Sequence, residues 1–403
     1  MSTTPRDRPL LTAEILSIGS ELTVGETRDT NGGELARALS LEGVTVGRIT
    51  AVPDRLDVVT GSFQTAIKRS DLVVTTGGLG PTPDDLTRES IAAAVGEVLV
   101  VDPALETWLR GRWERRGLPF PEINLKQAWV IPSCAPLPNP NGTAPGWLVT
   151  RSDGRVIVAM PGPPREMRPM WENEVLPRLK ARGLGRDLAV RTFRLTGIGE
   201  SQVAEILGED LLRRPDPEVA TYARLEAVDV RVSAFGSAGP VEAGDSAGAR
   251  VAEASAIVLE RLGAYIWAEG DMTWSAALGE RLGQLSWRLA IEEMGTGGQL
   301  AALFGDVEWL ALVESRPLGE PNADDGGDGL LERARLVRST AGVDVGLAVR
   351  ARPRGSQLAV SVAIVTPNGE HRQTRTTYMG GSIGRSQAAL LAAASLFAAL
   401  RET

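Results

Sequence analysis

Residues 75–87 of this 403-residue chain read Thr75-Thr76-Gly77-Gly78-Leu79-Gly80-Pro81-Thr82-Pro83-Asp84-Asp85-Leu86-Thr87. They directly follow a short apolar run, residues 72–74, that is rich in β-branched side chains. Glycines that permit positive φ after such a run predict a strand that ends in a loop lying close to a ligand. Thr82 or Asp84 can then cap a helix that begins near Asp85. The pattern therefore predicts a strand, a binding loop and a helix.

The loop has the composition of a phosphate site. Glycine lets backbone N–H groups approach an anion, and the N-terminus of a helix favours negative charge. The neighbouring carboxylates of Asp84 and Asp85 would repel a phosphate unless a metal ion bridged them to it. A nucleotide pyrophosphate with a divalent cation satisfies both requirements. The alternative is an ordinary tight turn with a solvated pair of acids.

The composition limits the chemistry. The net charge is −8 and there is no block of basic residues, so direct nucleic-acid binding is not expected. The single cysteine, Cys134, excludes an internal disulfide, and it is expected to be a small residue in a turn. The single histidine, His371, argues against a histidine metal site or a Ser-His-Asp triad. Carboxylates, hydroxyls, Lys, Arg and the backbone must then supply the chemistry.

The sequence also bears on location. The N-terminus is polar and lacks an apolar signal core, and no apolar run is expected to approach membrane-spanning length. A soluble cytoplasmic protein with no membrane partner is therefore predicted. At 403 residues the chain is long enough for two or three domains.

The first part of the chain alternates strand and helix patterns. Residues 13–18 and 44–52 read as strands, and each is followed by a helix pattern with one apolar face. This alternation predicts an α/β fold with a largely parallel sheet covered by helices on both faces. Ligands of open α/β sheets bind at the carboxyl ends of the strands. The polar or glycine residues expected there are Glu21, Asp29, Asn31, Asp54, Gly77, Gly78, Asp84 and Asp85.

Four stretches carry these residues and their partners along the chain. They are Gly19-Ser20-Glu21-Leu22 with Asp29-Thr30-Asn31, then residues 75–87, residues 139–146 and residues 161–167. In order and spacing they resemble the competence/damage-inducible protein A (CinA) family. The resemblance implies that residues 1–178 form a three-layer, molybdopterin-binding-like domain acting as a nucleotide pyrophosphatase on ADP-ribose. Ser20 departs from the family pattern, in which Thr or Asp is usual.

The resemblance also implies roles for single residues. The residues expected to bind nucleotide or phosphate are Ser20, Asn31, Gly77, Gly78, Gly80, Thr82 and Asn141, with the two asparagines on ribose or base. The expected catalytic residues are Asp84, Asp85 and Glu21, and the expected metal ligands are Asp54 and Asp84. Which acid binds metal and which activates water stays open. The mechanism implied is pyrophosphate hydrolysis assisted by Mg²⁺, Mn²⁺ or Co²⁺, with a monovalent cation as a further candidate.

Residues 179–268 resemble the small α+β, KH-like middle domain of the family. KH modules that bind nucleic acid clamp its backbone with a basic GXXG loop. The corresponding turn here, Gly197-Ile198-Gly199-Glu200, is not that loop and carries an acid. A role as spacer or dimerisation module is therefore expected.

Residues 269–403 resemble the nicotinamide mononucleotide deamidase domain of the family, an α/β domain with the hallmark Ala-Glu-Ser-Cys-Thr-Gly-Gly. The corresponding run here is Glu292-Glu293-Met294-Gly295-Thr296-Gly297-Gly298, so Met294 and Gly295 replace the hydroxyl and the thiol. A thioether cannot act as an acyl nucleophile. Residues 321–329 read as a Gly/Asp-rich linker that lacks the family's Tyr and Lys. A folded but degenerate deamidase domain, serving packing or dimerisation, is predicted.

Three hypotheses about function follow. The favoured one is a homodimeric, metal-dependent hydrolase of ADP-ribose or a related nucleotide pyrophosphate. The second is a non-catalytic nucleotide- or pterin-binding protein that acts through partners in competence or the DNA-damage response. The third is a residual nicotinamide mononucleotide deamidase.

Overall fold

The computed structural model describes residues 8–224, 227–236, 246–318, 327–377 and 379–401. The chain divides into two compact units, one of Met1–Leu188 with Phe235–Val241 and one of Ala189–Ala234 with Glu242–Thr403. The boundaries of the three domains predicted from the sequence, after residues 178 and 268, stay a prediction. Of the expected linker at residues 321–329, residues 321–326 lie outside the described residues, and the remainder belongs to a helix.

The first unit is built on a mostly parallel sheet. Its strands are β1 (Thr12–Ile18), β2 (Thr45–Val52), β3 (Leu72–Thr76), β4 (Val100–Val101), β5 (Trp129–Val130), β6 (Cys134–Leu137), β7 (Gly146–Thr150) and β8 (Val156–Met160). Six of them form one sheet in the order β2-β1-β3-β8-β7-β6, while β4 and β5 pair separately. Strands β2, β1, β3 and β8 are parallel, and β7 and β6 are antiparallel to their neighbours. The predicted largely parallel sheet is confirmed.

Helices cover both faces of this sheet. They are α1 (Ser20–Thr23), α2 (Asn31–Leu41), α3 (Leu56–Arg69), α4 (Thr87–Val95), α5 (Pro103–Glu114), α6 (Pro164–Met170) and α7 (Leu176–Lys180). Val74 of β3 packs with Leu35 of α2 on one face, whereas its neighbour Val73 packs with Phe63 of α3 on the other. Successive side chains of a strand point to opposite faces, so a sheet covered on both sides needs apolar residues at consecutive positions.

The start of α4 differs from the prediction. The helix begins at Thr87, its N-cap position is Leu86, and no side chain among the described residues caps it. The predicted capping by Thr82 or Asp84 is therefore wrong. The reason is local, because the Asp85 carboxylate accepts hydrogen bonds from the loop that precedes it and keeps the chain out of the helix until Thr87.

The second unit contains two further sheets. Its strands are β9 (Leu188–Thr196), β10 (Glu218–Ala223), β11 (Ala227–Phe235), β12 (Ile266–Glu269), β13 (Leu289–Met294), β14 (Leu310–Arg316), β15 (Val345–Arg354), β16 (Gln357–Thr366) and β17 (Gly369–Thr376). The sheet orders are β10-β11-β9-β12 and β14-β13-β15-β16-β17. The helices are α8 (Glu200–Leu207), α9 (Glu209–Leu212), α10 (Ala247–Leu262), α11 (Trp274–Leu285), α12 (Gln299–Phe304), α13 (Gly327–Ala341) and α14 (Gly381–Arg401). Helices pack against both sheets, as the predicted α/β and α+β classes require.

Helix α14 corrects one sequence prediction. Gly381–Arg401 is long and apolar enough, by length and composition alone, to cross a membrane, so the statement that no apolar run approaches that length is wrong. Of its most apolar window, 56% is buried inside the structure, and core helices of soluble proteins pass the same test. Its alanines, for example Ala392 and Ala393, are fully buried in the core of the second unit. Small apolar residues of this kind allow close packing of a helix on a sheet, and they also raise its mean hydropathy.

Candidate functional site

A cleft of about 570 Å³ lies at the carboxyl ends of the parallel strands of the first unit. Its lining includes residues 18–19 at the end of β1, Asp54 after β2, residues 77–80 after β3 and residues 161–163 after β8. Parallel strands bring their carboxyl ends to one edge of a sheet, which is where ligands of open α/β folds bind. Pockets for small ligands typically measure about 300–1,000 Å³, so the cleft has a suitable size.

The cleft brings together most of the residues singled out in the sequence. Those that line it are Glu21, Asp54, Gly77, Gly78, Gly80, Asp84, Asp85 and Asn141. Ser20, Asn31 and Thr82 do not line it, but each hydrogen-bonds a residue that does. These three therefore act on the cleft by holding its lining in place.

Asp85 shapes the glycine loop from within. Its Oδ1 accepts the N–H of Gly80 at 2.8 Å, and its Oδ2 accepts the N–H of Thr82 at 2.9 Å and the Thr82 hydroxyl at 2.5 Å. Both oxygens are thus engaged with the protein. This arrangement holds the loop in shape, and the catalytic role expected of Asp85 from the sequence stays a prediction.

The glycines are required by close approach. Gly77 has φ 98°, and a Cβ there would lie 2.0 Å from the carbonyl oxygen of Ile18. Gly78 has φ 63°, and a Cβ there would lie 2.4 Å from the hydroxyl of Thr87. Meanwhile the Gly77 N–H donates to the carbonyl of Met160 at 3.0 Å. The N–H groups of Gly77, Gly80 and Thr82, which were expected to hold phosphate, therefore already have acceptors within the protein.

Three acids of the cleft remain less constrained. Asp84 is exposed, and hydrogen bonding, with further attraction from Lys126, lowers its pKa below the ordinary value. Glu21 is exposed and lies back against Gly19, where a Cβ would come within 2.5 Å of its Oε1. Asp54 is half-buried, and its Oδ2 accepts the N–H of Ser20 at 2.6 Å. Negative charge thus collects at the strand ends.

These acids bear on the predicted metal. Among the residues that the structure describes, no three His, Cys, Asp or Glu side chains group closely enough to hold an ion by themselves. Mg²⁺, however, is usually held by one or two carboxylates and completes its shell with substrate phosphate oxygens and water. Asp54 and Asp84 can supply such a partial set. The residues present therefore fit an ion that arrives with a phosphorylated substrate.

Two asparagines fasten the loops of the cleft. The side-chain amide of Asn31, which is 8% exposed, donates to the carbonyl of Gly162 at 2.7 Å. The side-chain amide of Asn141 donates to the carbonyl of Arg165 at 2.9 Å. Both amide N–H groups thus bind main chain, and the bonds to ribose or base drawn from the sequence stay a prediction.

Arg88 is a site residue that sequence reasoning missed. It is fully buried, and its Nη1 donates to the carbonyl of Leu79 at 2.9 Å while its Nη2 donates to the carbonyl of Pro145 at 3.3 Å. Burial lowers its pKa to about 10, so it stays charged at neutral pH. It ties the glycine loop to the loop before β7. An arginine in the first turn of a helix gives no sequence signal for this, because such residues are usually solvated.

Further basic side chains of the cleft were also missed. Arg112 comes from the last turn of α5, Arg116 from the turn that follows this helix, and Arg165 from the first turn of α6. They lie outside the stretches that resemble a known family, except for Arg165. Only the packing of α5 beside the strand ends brings the first two to the acids.

Residues 292–298, which correspond to the deamidase hallmark, form the end of β13 and a loop in the second unit that is held by hydrogen bonds to Glu293. The buried carboxylate of Glu293 accepts the Thr296 hydroxyl at 2.5 Å and the N–H groups of Leu300 at 3.0 Å and Ala301 at 3.4 Å. The first turn of α12 is therefore already occupied by an anion of the protein. Met294 is buried at the end of β13, and Gly297 and Gly298 have positive φ values of 66° and 80°.

Gly295 is confined by its surroundings. It has φ 75°, and a Cβ there would lie 2.3 Å from the carbonyl oxygen of Ala351 and 2.8 Å from Cγ of Leu318. A side chain at the thiol position of the family motif therefore has no room. Next to it lies a cleft of about 470 Å³, which Arg385 also lines.

Comparison with known proteins identifies the family. Residues 14–181 match the family model of the probable molybdopterin binding domain, and residues 190–268 match that of the damage-inducible protein CinA KH domain. A CinA-like protein of Deinococcus deserti is 43% identical over 399 residues, which cover 96% of this chain and 97% of the relative. A CinA-like protein of Deinococcus radiodurans is 48% identical over 302 residues, which cover 74% of this chain and 72% of the relative.

Solved structures include a CinA protein of unknown function from Thermoplasma acidophilum. It is 33% identical, covers 42% of this chain and 98% of its own, and gives a TM-score of 0.40. The full-length relative and the two matched domains together show that the chain belongs to the CinA-like protein family, with a molybdopterin-binding-like domain, a CinA KH domain and a further α/β region.

Proposed function

We propose that the first unit hydrolyses ADP-ribose or a related nucleotide pyrophosphate with the help of a divalent cation. The observation that carries the proposal is the lining of one cleft by exposed carboxylates, such as Asp84, and by arginines, such as Arg112. Carboxylates suit a hard cation, and arginines suit phosphate oxygens. A pyrophosphate that carries its own cation is the ligand class that meets both.

The acids take different roles in this proposal. The exposed carboxylate of Asp84 is the first ligand for the cation, because hard divalent ions prefer carboxylate oxygens. Asp54 is the second carboxylate for the ion, and Glu21 orients and deprotonates the attacking water. When bound, a divalent ion neutralises phosphate charge and lowers the pKa of water. Water adds to one phosphorus, the P–O–P bond breaks, and AMP and ribose 5-phosphate leave.

The test uses the purified full-length protein with ADP-ribose and Mg²⁺, Mn²⁺ or Co²⁺, and separates the products by chromatography. We expect AMP and ribose phosphate from the wild type and at least a hundredfold lower rate from Asp84→Asn, on the order expected for loss of a group that contacts the reaction. Glu26→Gln is the matched control, because Glu26 is exposed on a nearby loop and does not line the cleft. Tight binding of ADP-ribose without any product would overturn the proposal.

That outcome would favour a second candidate, binding of a nucleotide or pterin without turnover. The match of residues 14–181 to a probable molybdopterin binding domain is the observation in its favour. Titration with a pterin and with ADP-ribose distinguishes the two ligand classes.

We further propose that the second unit lacks deamidase activity. Met294 and Gly295 offer no acyl nucleophile, and the Glu293 carboxylate occupies the N–H groups of Leu300 and Ala301. We expect no ammonia from nicotinamide mononucleotide at any enzyme concentration. Enzymatic detection of ammonia above a no-protein blank would contradict this.

A further inference from the structure

In the cleft of the first unit, the acidic and the basic side chains come from different secondary-structure elements. The acids Glu21, Asp54 and Asp84 follow strands of the sheet, whereas Arg112 and Arg116 lie at the end of α5. Acids alone repel a phosphorylated ligand, and the repulsion is strongest where little water screens it. A phosphorylated ligand that binds without a cation therefore needs positive groups in the cleft.

The glycine loop is poorly placed to supply that attraction. The N–H groups of Gly77, Gly80 and Thr82 already donate to Met160 and Asp85. Moreover, the acceptor of two of them is itself a carboxylate, so the loop presents a negative group where an anion would have to bind. Positive charge on side chains is therefore the stronger source of attraction.

Arg112 and Arg116 are available for this role. Within the part of the chain that the structure describes, neither forms an ion pair, whereas Arg110 on the same helix pairs with Glu106 and Glu122. The guanidinium of Arg112 lies over the ring of Trp108, 5.1 Å from its centroid. A stacked guanidinium loses little freedom when it binds, and its N–H edge matches two phosphate oxygens.

A simpler explanation exists for Arg112. A cation in the last turn of a helix interacts favourably with the helix dipole, and Arg112 occupies that turn of α5. This explanation concerns helix stability alone. It predicts that replacing the arginines changes the melting temperature slightly and leaves ligand binding unchanged.

We propose that Arg112 and Arg116 directly bind the second phosphate of a nucleotide pyrophosphate, which nucleoside monophosphates lack, and thereby select nucleotides that carry a pyrophosphate over nucleoside monophosphates. The proposal rests on the proposed function for the identity of the cleft as the substrate site. It assigns the recognition of the anion to α5, and not to the glycine loop. Because guanidinium groups need no metal to bind phosphate, this recognition persists in a chelator.

The test is calorimetric titration of the full-length protein in EDTA with ADP-ribose, ADP and AMP. We expect the wild type to bind ADP-ribose and ADP more tightly than AMP, and Arg112→Gln/Arg116→Gln to lose about tenfold to a hundredfold in affinity for the two pyrophosphates. For AMP the loss is expected to be less than about threefold. Raising the salt concentration should weaken the wild type more than the variant.

Arg115→Gln is the matched control, because Arg115 is an exposed arginine at the same helix end that does not line the cleft. Arg112→Lys/Arg116→Lys keeps the charges but not the planar fork, so its affinity should lie between those of wild type and the glutamine variant. If circular dichroism shows that the glutamine variant does not fold, the lysine variant replaces it in the binding test.

Unchanged pyrophosphate affinity in the folded double variant, or no wild-type binding in EDTA, would overturn the proposal. The hydrolysis assay can contradict the proposed hydrolysis independently of the arginine proposal. If binding depends on the arginines but no product ever forms, the arginines keep their role and the proposed hydrolysis is wrong. If product forms and the glutamine variant binds as wild type does, hydrolysis stands and the arginine assignment is wrong.

Discussion

Ser20 and Asp54 hold each other at the rim of the cleft in the first unit. The N–H of Ser20 donates to Oδ2 of Asp54 at 2.6 Å, and the N–H of Asp54 donates to the hydroxyl of Ser20 at 3.1 Å. The two residues follow β1 and β2, so this reciprocal pair joins the ends of neighbouring strands. It orients one of the two carboxylates assigned to the cation.

Variants of this pair can separate the effect of the Asp54 charge from the effect of loop geometry. In Asp54→Asn the amide oxygen can still accept the N–H of Ser20, so the loop is kept and only the charge is lost. We expect the concentration of Mg²⁺ or Mn²⁺ at half-maximal hydrolysis to rise roughly tenfold, the order expected when one ligand of a cation is lost. The melting temperature should change little.

Ser20→Ala is the complementary variant. It removes the hydroxyl that accepts the N–H of Asp54 but keeps the carboxylate, so metal dependence should shift much less than in Asp54→Asn. Equal metal shifts in the two variants would mean that loop geometry, and not the charge of Asp54, controls the ion.

Arg88 is expected to control the stability of the first unit. Arg88→Met removes two donors and leaves the carbonyls of Leu79 and Pro145 buried without them. Each such loss costs about 1–3 kcal/mol, so we expect the free energy of unfolding to fall by about 2–6 kcal/mol. Urea denaturation measures it, with the exposed Arg28→Met as control. A loss below about 0.5 kcal/mol would mean that the buried guanidinium is not needed to join the loops.

Cys134 makes stability depend on pH. It is the first residue of β6, in a strand and not in the turn expected from the sequence, and burial raises the pKa of its thiol to about 12. An unfolded thiol has a pKa of about 8.5, so above that pH the unfolded state binds fewer protons than the folded state. Stability contributed by the neutral thiol is therefore full below pH 8.5 and is lost as the pH rises.

Between pH 7 and pH 10 this loss amounts to about 1–2 kcal/mol. We expect the free energy of unfolding to fall by that much more in wild type than in Cys134→Ala. A thiol reagent at pH 8 should react slowly with the native protein and quickly in denaturant. Fast labelling of the native protein would show that the thiol is not held neutral.

Gly295 offers a test of the degenerate loop in the second unit. Both Gly295 and Gly305 have φ 75°, but a Cβ at Gly295 meets Ala351 and Leu318 whereas one at Gly305 meets nothing within 4 Å. Gly305 has ψ −166°, so Gly305→Ala should cost only the backbone strain, about 1–3 kcal/mol, and Gly295→Ala should cost at least about 2 kcal/mol more. Chemical denaturation of the two variants gives the difference. Equal losses would show that the space at Gly295 opens readily.

The same clash bears on restoring the family motif. Met294→Ser/Gly295→Cys should release no ammonia from nicotinamide mononucleotide, because the Cys side chain has no room at this backbone position. Ammonia release by this variant would show that the loop adapts.

The element pattern was readable because it depends on neighbours in the chain. The apolar run before Gly77 and the amphipathic spacing around Phe63 predicted β3 and α3, and both are present. Helix starts were less accurate, since α4 begins at Thr87 after Asp85 has bonded backward to Gly80. Capping side chains have more than one acceptor or donor within reach, and the sequence does not choose among them.

Local sequence was enough to place glycines and acids at strand ends, because strand direction alone sends those ends to one edge of a parallel sheet. It did not show that Asp85, which lines the cleft beside Asp84, also holds its own loop through both carboxylate oxygens. Nor did it bring in Arg88, Arg112 and Arg116, whose positions depend on how α4 and α5 pack. Contacts between residues far apart in the chain are set by packing of whole elements, and these contacts decided which side chains surround the cleft.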